Sequence, residues 1–346
     1  MTAVRMVAAA LAAALAPLAA GQTVQPPFDS VYTVVDLGTP AGVPGSFGGL
    51  TLKADDPSVL LIGGSANQVG AMIYAVPLAR TCGRVTGFAG GGTAFAEAPN
   101  IDGGLAYGPG GVLFFTRYSI HQLGQILPGQ STMHRSDPLG VNGFAGSVGA
   151  MQVVPPSYAG TGGALAFASY NSSQWARAVL TPAGDGSYDI GVSAPIVTLQ
   201  GGPEGIIYVP AGSPHFPAAS VLVSEWAAGA VSAYEVDANG DPIPATRRVF
   251  ISGLSGAEGA YIEPATGDFF FSTFGGGDRV IVVRGFSAAC PGDTNGDNIV
   301  DFADLNNAIS NFNATGEGIL GDVNLDCLVS FADLNVIVSF FNNVCN

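Results

Sequence analysis

The chain has 346 residues, 50 of them glycine, and only 11% carry a charge. Acidic side chains outnumber basic ones 26 to 11, the formal net charge is −15 and Lys53 is the single lysine, which excludes a surface that tracks nucleic-acid phosphates and favours a cationic partner, Ca²⁺ being the simplest. A glycine share about twice the usual one points to tight turns and much sheet, and the length asks for a large domain plus an appendage.

Residues 1–21 carry one positive charge at Arg5, an apolar run from Met6 to Leu18 and then Ala19-Ala20-Gly21, the layout of a secretory signal peptide cleaved next to Gly21. Pro17 breaks the run, which is too short for a hydrocarbon layer about 30 Å thick. No later stretch is long enough either. The expectation is a secreted or extracellular chain with no membrane span, held at a cell surface only through a partner.

Over residues 22–286 a unit recurs: a small or acidic residue, glycine, two or three apolar residues, a turn, then a β-prone strand. It opens at Gly48-Gly-Leu50, Asp102-Gly-Gly-Leu105, Val148-Gly-Ala-Met151, Glu204-Gly-Ile-Ile207 and Glu258-Gly-Ala-Tyr261. The glycine anchors at 49, 104, 149, 205 and 259 are 55, 45, 56 and 54 residues apart, the mark of a β-propeller with five visible blades and room for a sixth. Tyr32–Asp36 is the strand expected to complete the last blade and remove the exposed edges. Pro203-Glu-Gly-Ile-Ile207 and the run from Ala257 to Ser272 resemble blade openings of NHL and gluconolactonase-like propellers.

That resemblance implies fold more than function. Lactonase-like propellers hold a divalent metal near the axis with acids and asparagines, and Glu204 and Glu258 stand at equivalent blade positions. The other blades offer Gly48, Gly103 and Val148 there, and no asparagine set completes a shell, so both glutamates are read as structural turn acids. His121, His134 and His215 have no ligand spacing, and neither a Gly-x-Ser-x-Gly elbow nor a phosphate loop is present. Trp175 and Trp226 are read as outer-strand packing rather than sugar contacts. No catalytic residue is assigned.

In the tail, residues 287–346, Asp293–Asp304 matches Asp322–Asp333 at an offset of 29. Oxygen-bearing side chains at positions one, three, five, nine and twelve, with a backbone carbonyl at seven, suit a hard cation with six to eight oxygen ligands. The first loop offers Asp293, Asn295, Asp297, the Ile299 carbonyl, Asp301 and Asp304. The second offers Asp322, Asn324, Asp326, the Leu328 carbonyl, Ser330 and Asp333. One Ca²⁺ is expected in each. Val300 and Val329 at position eight are expected to pair as a short β bridge. Helices follow, with Leu305, Ile309 and Phe312 on one buried face and Leu334, Ile337, Val338 and Phe341 on the other. Asp237-Ala-Asn-Gly-Asp241 lacks an acid at its twelfth position, Arg248, and reads as a hairpin turn.

This loop-helix duplication resembles the type I dockerin family, particularly its cysteine-bracketed variants on secreted bacterial proteins. The resemblance implies a small α domain that folds around two Ca²⁺ ions and docks onto a cohesin-type β-sandwich. It places Phe302, Ala303, Phe331 and Ala332 against that partner, and their repetition would permit two docking orientations. Two departures stand out. Cys327 occupies position six, where the turn needs positive φ at a cost of order 1 kcal/mol while Asn298 tolerates it. The second loop also has three carboxylates against four, so weaker binding is expected there. Cys290 lies just before the first loop and Cys345 just after the last helix, so a Cys290–Cys345 clasp is expected, with Cys82–Cys327 tying tail to main domain; Cys290–Cys327 is the competing pairing. The functional expectation is a docking protein that anchors a binding or structural propeller. The rivals are a hydrolase or lyase acting on polysaccharide, or a tail that binds its own propeller with Ca²⁺ as a staple.

Overall fold

A computed structural model describes residues 22–345; the expected signal peptide lies outside the described residues. The fold is mainly β: five antiparallel blades around one axis, followed by two short helices. The inner strands are Leu50–Lys53, Ile101–Tyr107, Val148–Val153, Pro203–Tyr208 and Ala257–Ile262. Each contacts the next around the ring, and the fifth contacts the first. Among the described residues there are five blades, and the sixth allowed for in the sequence does not occur there.

The glycine anchors explain how the strands come so close. A Cβ on Gly205 would lie 2.2 Å from the Glu258 carbonyl oxygen, and one on Gly149 would lie 2.0 Å from the Glu204 carboxylate. Only glycine allows both the backbone contact and the inward turn of the acid. Hydroxyls on the second strands stitch blades together: Thr116 Oγ1 donates to the Gly149 carbonyl at 2.7 Å, and Ser272 Oγ to the Gly48 carbonyl at 2.6 Å.

The core is divided among five apolar clusters, each filling the wedge between neighbouring blades. Phe114, Met151 and Phe167, for example, join the second blade to the third. Ring closure comes from the N-terminal segment. Thr33–Gly38 pairs antiparallel with Val280–Arg284 as the outer strand of the fifth blade, and Thr23–Val24 adds to Arg248–Ser252 in the fourth. Packing across blades then depends on a strand from the far end of the chain, which covers the edge of Val280–Arg284.

In the tail the helices are Phe302–Ser310 and Phe331–Ser339, each started by a capping box, at Asp301 with Asp304 and at Ser330 with Asp333. Buried Val300, Ala308, Val329 and Ile337 form its own small core. Disulfides join Cys290 to Cys345 and Cys82 to Cys327. Cys82 N–H also donates to Glu317 at 2.6 Å, and Ala289 N–H to the Pro264 carbonyl at 2.7 Å, so the tail is fastened to the propeller at two places. No described helix is long and apolar enough to cross a membrane.

Two tail expectations are corrected. The loops do not pair with each other: Val300 exchanges backbone bonds with Asn342 and Asn343, and Val329 with Asn313 and Ala314. Each loop is closed by the segment after the opposite helix, and the two valines share the tail's small core. Ile309 and Val338 are exposed, at 55% and 59%. Asp304 and Asp333 must face inward to receive the loop amides, which carries Ala308 and Ile337, four residues on, into the core and turns the next position outward.

Candidate functional site

Two groups of carboxylates stand out, and they are built differently. In the tail both loops are wound by closely similar bonds. The Asp293 carboxylate accepts from the Gly296 and Asn298 amides at 2.7 and 2.9 Å, and Asp322 accepts from Asp326 and Cys327 at 3.1 and 2.9 Å. Asn295 and Asn324 each receive the amide two residues on at 2.9 Å, as do Asp297 and Asp326. The twelfth-position acids close the loops: Asp304 accepts from Thr294 and Asp301, Asp333 from Val323 and Ser330. Burial pushes Asp304 up, but these donors outweigh it and hold its carboxyl below the ordinary range. Burial raises Asp322, helped by the charges of Asp333 and Asp326.

The left-handed turn at position six occurs at Asn298 and Cys327, with φ of 65° and 66°. A second such turn was missed: position four is Gly296 in the first loop but Leu325, at φ 61°, in the second. Leu325 is set against Gly83 of the propeller, beside the Cys82–Cys327 bridge. Phe302 and Phe331 are 68% and 71% exposed, each touched edge-on by one ring, Phe341 and Phe312. Ala303 and Ala332 beside them are exposed too.

The second group lies on the propeller axis. Asp102, Glu204 and Glu258 are buried, at 1%, 4% and 1% exposure, and each offers a carboxylate oxygen within 4.8 Å of the others. Reading Glu204 and Glu258 as turn acids is therefore corrected, because the inner strands point them together. Asp102 was missed because the irregularity that opens its strand is wider. Between Ile101 and Leu105 three residues lie opposite one on the partner strand, which slips the acid one place from the glutamate positions. Allowing that slip in the repeat alignment would have revealed it.

A cavity of about 250 Å³ opens above the three acids. Its rim repeats with the fold: Tyr118, Tyr170, Trp226 and Phe274 each directly follow the second strand of blades two to five, and Asn67 comes from the corresponding loop of blade one. Trp226 therefore lines the axial mouth rather than packing on an outer strand, its indole N–H donating to the Phe274 carbonyl at 3.3 Å. Trp175 is buried and donates to Asp241 at 2.9 Å, the end of the Asp237 turn. Burial pushes Asp102 up to about 7, and Glu204 and Glu258 are raised well above the ordinary range by burial and then by the Asp102 charge. The histidines stay apart: His121 bonds Phe144, His134 bonds Asp185 and His215 bonds Ser30.

Fold and axis together define a five-blade β-propeller with a carboxylate-floored pocket and a disulfide-fastened helical tail. No protein-family model matches the chain, and no curated relative matches it. Similar solved structures include a glucose dehydrogenase (14% identity, 72% of this chain against 87% of that one, TM-score 0.42). An aldose sugar dehydrogenase from Streptomyces coelicolor in its PQQ-bound form gives 14%, 73% against 98%, and 0.37. A candidate 6-phosphogluconolactonase from Bacteroides uniformis gives 12%, 67% against 65%, and 0.40. All three are too distant to carry an activity across.

Proposed function

We propose that this chain is a secreted, calcium-dependent docking protein. Its tail binds two Ca²⁺ ions through the loops Asp293–Asp304 and Asp322–Asp333 and attaches the propeller to a cohesin-type partner through the faces around Phe302-Ala303 and Phe331-Ala332. The observation that supports this reading is that two loops differing at five of their twelve positions share a hydrogen-bonded winding. In each, side-chain oxygens of positions one, three, five and twelve accept the loop's own amides, and oxygen is the donor type that a hard cation requires. Pull-down of the full mature chain by a panel of cohesin-type domains, with and without chelator, tests it. Capture that needs calcium is expected; capture that persists after chelation contradicts it.

A second reading, a hydrolase or lyase acting on polysaccharide, draws on the buried carboxylates facing one cavity. Glycoside hydrolases space two carboxyls roughly 5 to 9.5 Å apart so that a sugar carbon or water fits between them. Here three crowd within 4.8 Å. Release of reducing ends from polysaccharide, abolished by Glu258→Gln, would favour this reading over simple display.

A further inference from the structure

The strand ends remote from the axial acids carry a different kind of pocket. In the fourth blade Pro203 pairs with Glu225 and Tyr208 with Val221, so the connection 209–219 turns at the end away from Glu204. A groove of about 620 Å³ lies there, lined by Pro27, His215, Phe216, Pro217 and Arg248 among others. It meets a cleft of about 680 Å³ at Gly212, Phe216 and Pro217. That cleft is largely apolar, with Ile207, Val209 and Ile262 of the propeller facing Val344 of the tail. No acidic side chain lines either space, although the chain has 26.

Arg248 is the exception among the described arginines and lysine. Eight of the others pair with a carboxylate, and buried Arg117 is spent on the Pro99 carbonyl, Gln122 and Ser136. Arg248 has only the His215 carbonyl, 3.3 Å from both Nη atoms. Its guanidinium lies over the rings of Phe28 and Phe216, 5.0 and 5.7 Å from their centroids, which leaves further N–H groups of its five unspent. His215 is held separately: the Ser30 hydroxyl donates to the Pro27 carbonyl at 2.8 Å and so accepts from His215 Nε2–H at 3.0 Å. A half-buried, prearranged guanidinium without a counter-charge, beside an apolar cleft, specifies an anionic head on an apolar body.

We infer that groove and cleft together bind a small monocarboxylate with an apolar body, of the medium-chain fatty-acid class. The carboxylate takes the unspent N–H groups of Arg248, and the chain runs over Phe216 and Pro217 into the cleft towards Val344. Inorganic phosphate would gain the same charge contact but leave the cleft empty, and a neutral hydrocarbon would fill the cleft but leave Arg248 unpaired. This site is separate from the axial cavity and from the tail loops, and it stands whether or not the tail docks.

Calorimetry on the full mature chain in calcium tests this, with octanoate below its micelle concentration, octan-1-ol and acetate as probes. One octanoate should bind per chain. Octan-1-ol, which lacks the charge, should bind about tenfold more weakly, and acetate, which lacks the chain, at least about 100-fold more weakly. Arg248→Gln should lower the affinity for octanoate to that for octan-1-ol and leave octan-1-ol unchanged, a pattern that lost packing alone would not give. Val344→Asp, at a position 62% exposed, should weaken octanoate by about tenfold by placing a charge along the apolar body. Circular dichroism confirms that each variant is folded, and Val344→Asp keeps the test open should Arg248→Gln not fold. No uptake of octanoate by the native chain, equal affinity for octanoate and octan-1-ol, or titrations unchanged in both variants overturns the inference. So does tighter binding of an apolar peptide with a free C-terminus, which would make the site a peptide site.

Discussion

The tail loops and the axial cluster are both carboxylate-rich, yet they are made by opposite routes. Each loop is a single run of twelve residues whose acids fold back on their own amides, so the exposed site depends on local winding. The axial acids come from three blades, 156 residues apart from first to last, and meet only because the ring closes. The lesson is that the same side chain has two energetic roles: Asp304 is stabilised by donors, whereas Asp102 is crowded by acids and raised by burial.

Removing the anchor of the local design should have the largest effect. Asp304→Ala together with Asp333→Ala leaves at least four loop amides without their acceptor. At roughly 1.5–3 kcal/mol per charge-assisted bond, calcium affinity should fall by more than about 100-fold in each loop, read by calorimetry. Next comes the covalent link between the regions. Cys82→Ser with Cys327→Ser should cost about 2–4 kcal/mol, read as a loss of melting temperature. It should also widen the difference in affinity between the loops, because Leu325 and Cys327 hold left-handed turns only against the propeller.

The axial cluster should show itself by pH in the metal-free protein. Its carboxyls hold protons more tightly when folded than the unfolded values near 4. Their contribution to stability is therefore complete below those values and is lost as pH rises through about 7 for Asp102 and higher for the glutamates. Burial raises the facing Tyr170 above its ordinary range, and among the described residues no cationic side chain pairs with the acids. Melting of the chelated chain should fall with rising pH, and a Glu204→Gln, Glu258→Gln variant should flatten the slope. The smallest structural effect is expected from Phe302→Ala. Its side chain is largely exposed and packs on one ring, so stability should change by less than about 1 kcal/mol while cohesin capture weakens.

What could be read from the sequence follows the same division. The glycine anchors gave the blades because close approach to the axis tolerates no Cβ, and the closing strand followed from the need to cover an edge. The repeated twelve-residue winding of the tail was legible because each copy is contiguous. Asp102 and Asn67 were not, since their roles depend on a bulge and on a loop that only the closed ring brings to the axis. Ile309 and Val338 misled because periodicity alone does not say that an acid will claim the inward face.

Counting bound ions on the full mature chain by native mass spectrometry in calcium tests most directly whether the tail loops are cation sites. Two ions are expected, falling to none in Asp304→Ala, Asp333→Ala. A native chain that retains none, or a variant that leaves the count unchanged, would contradict the account.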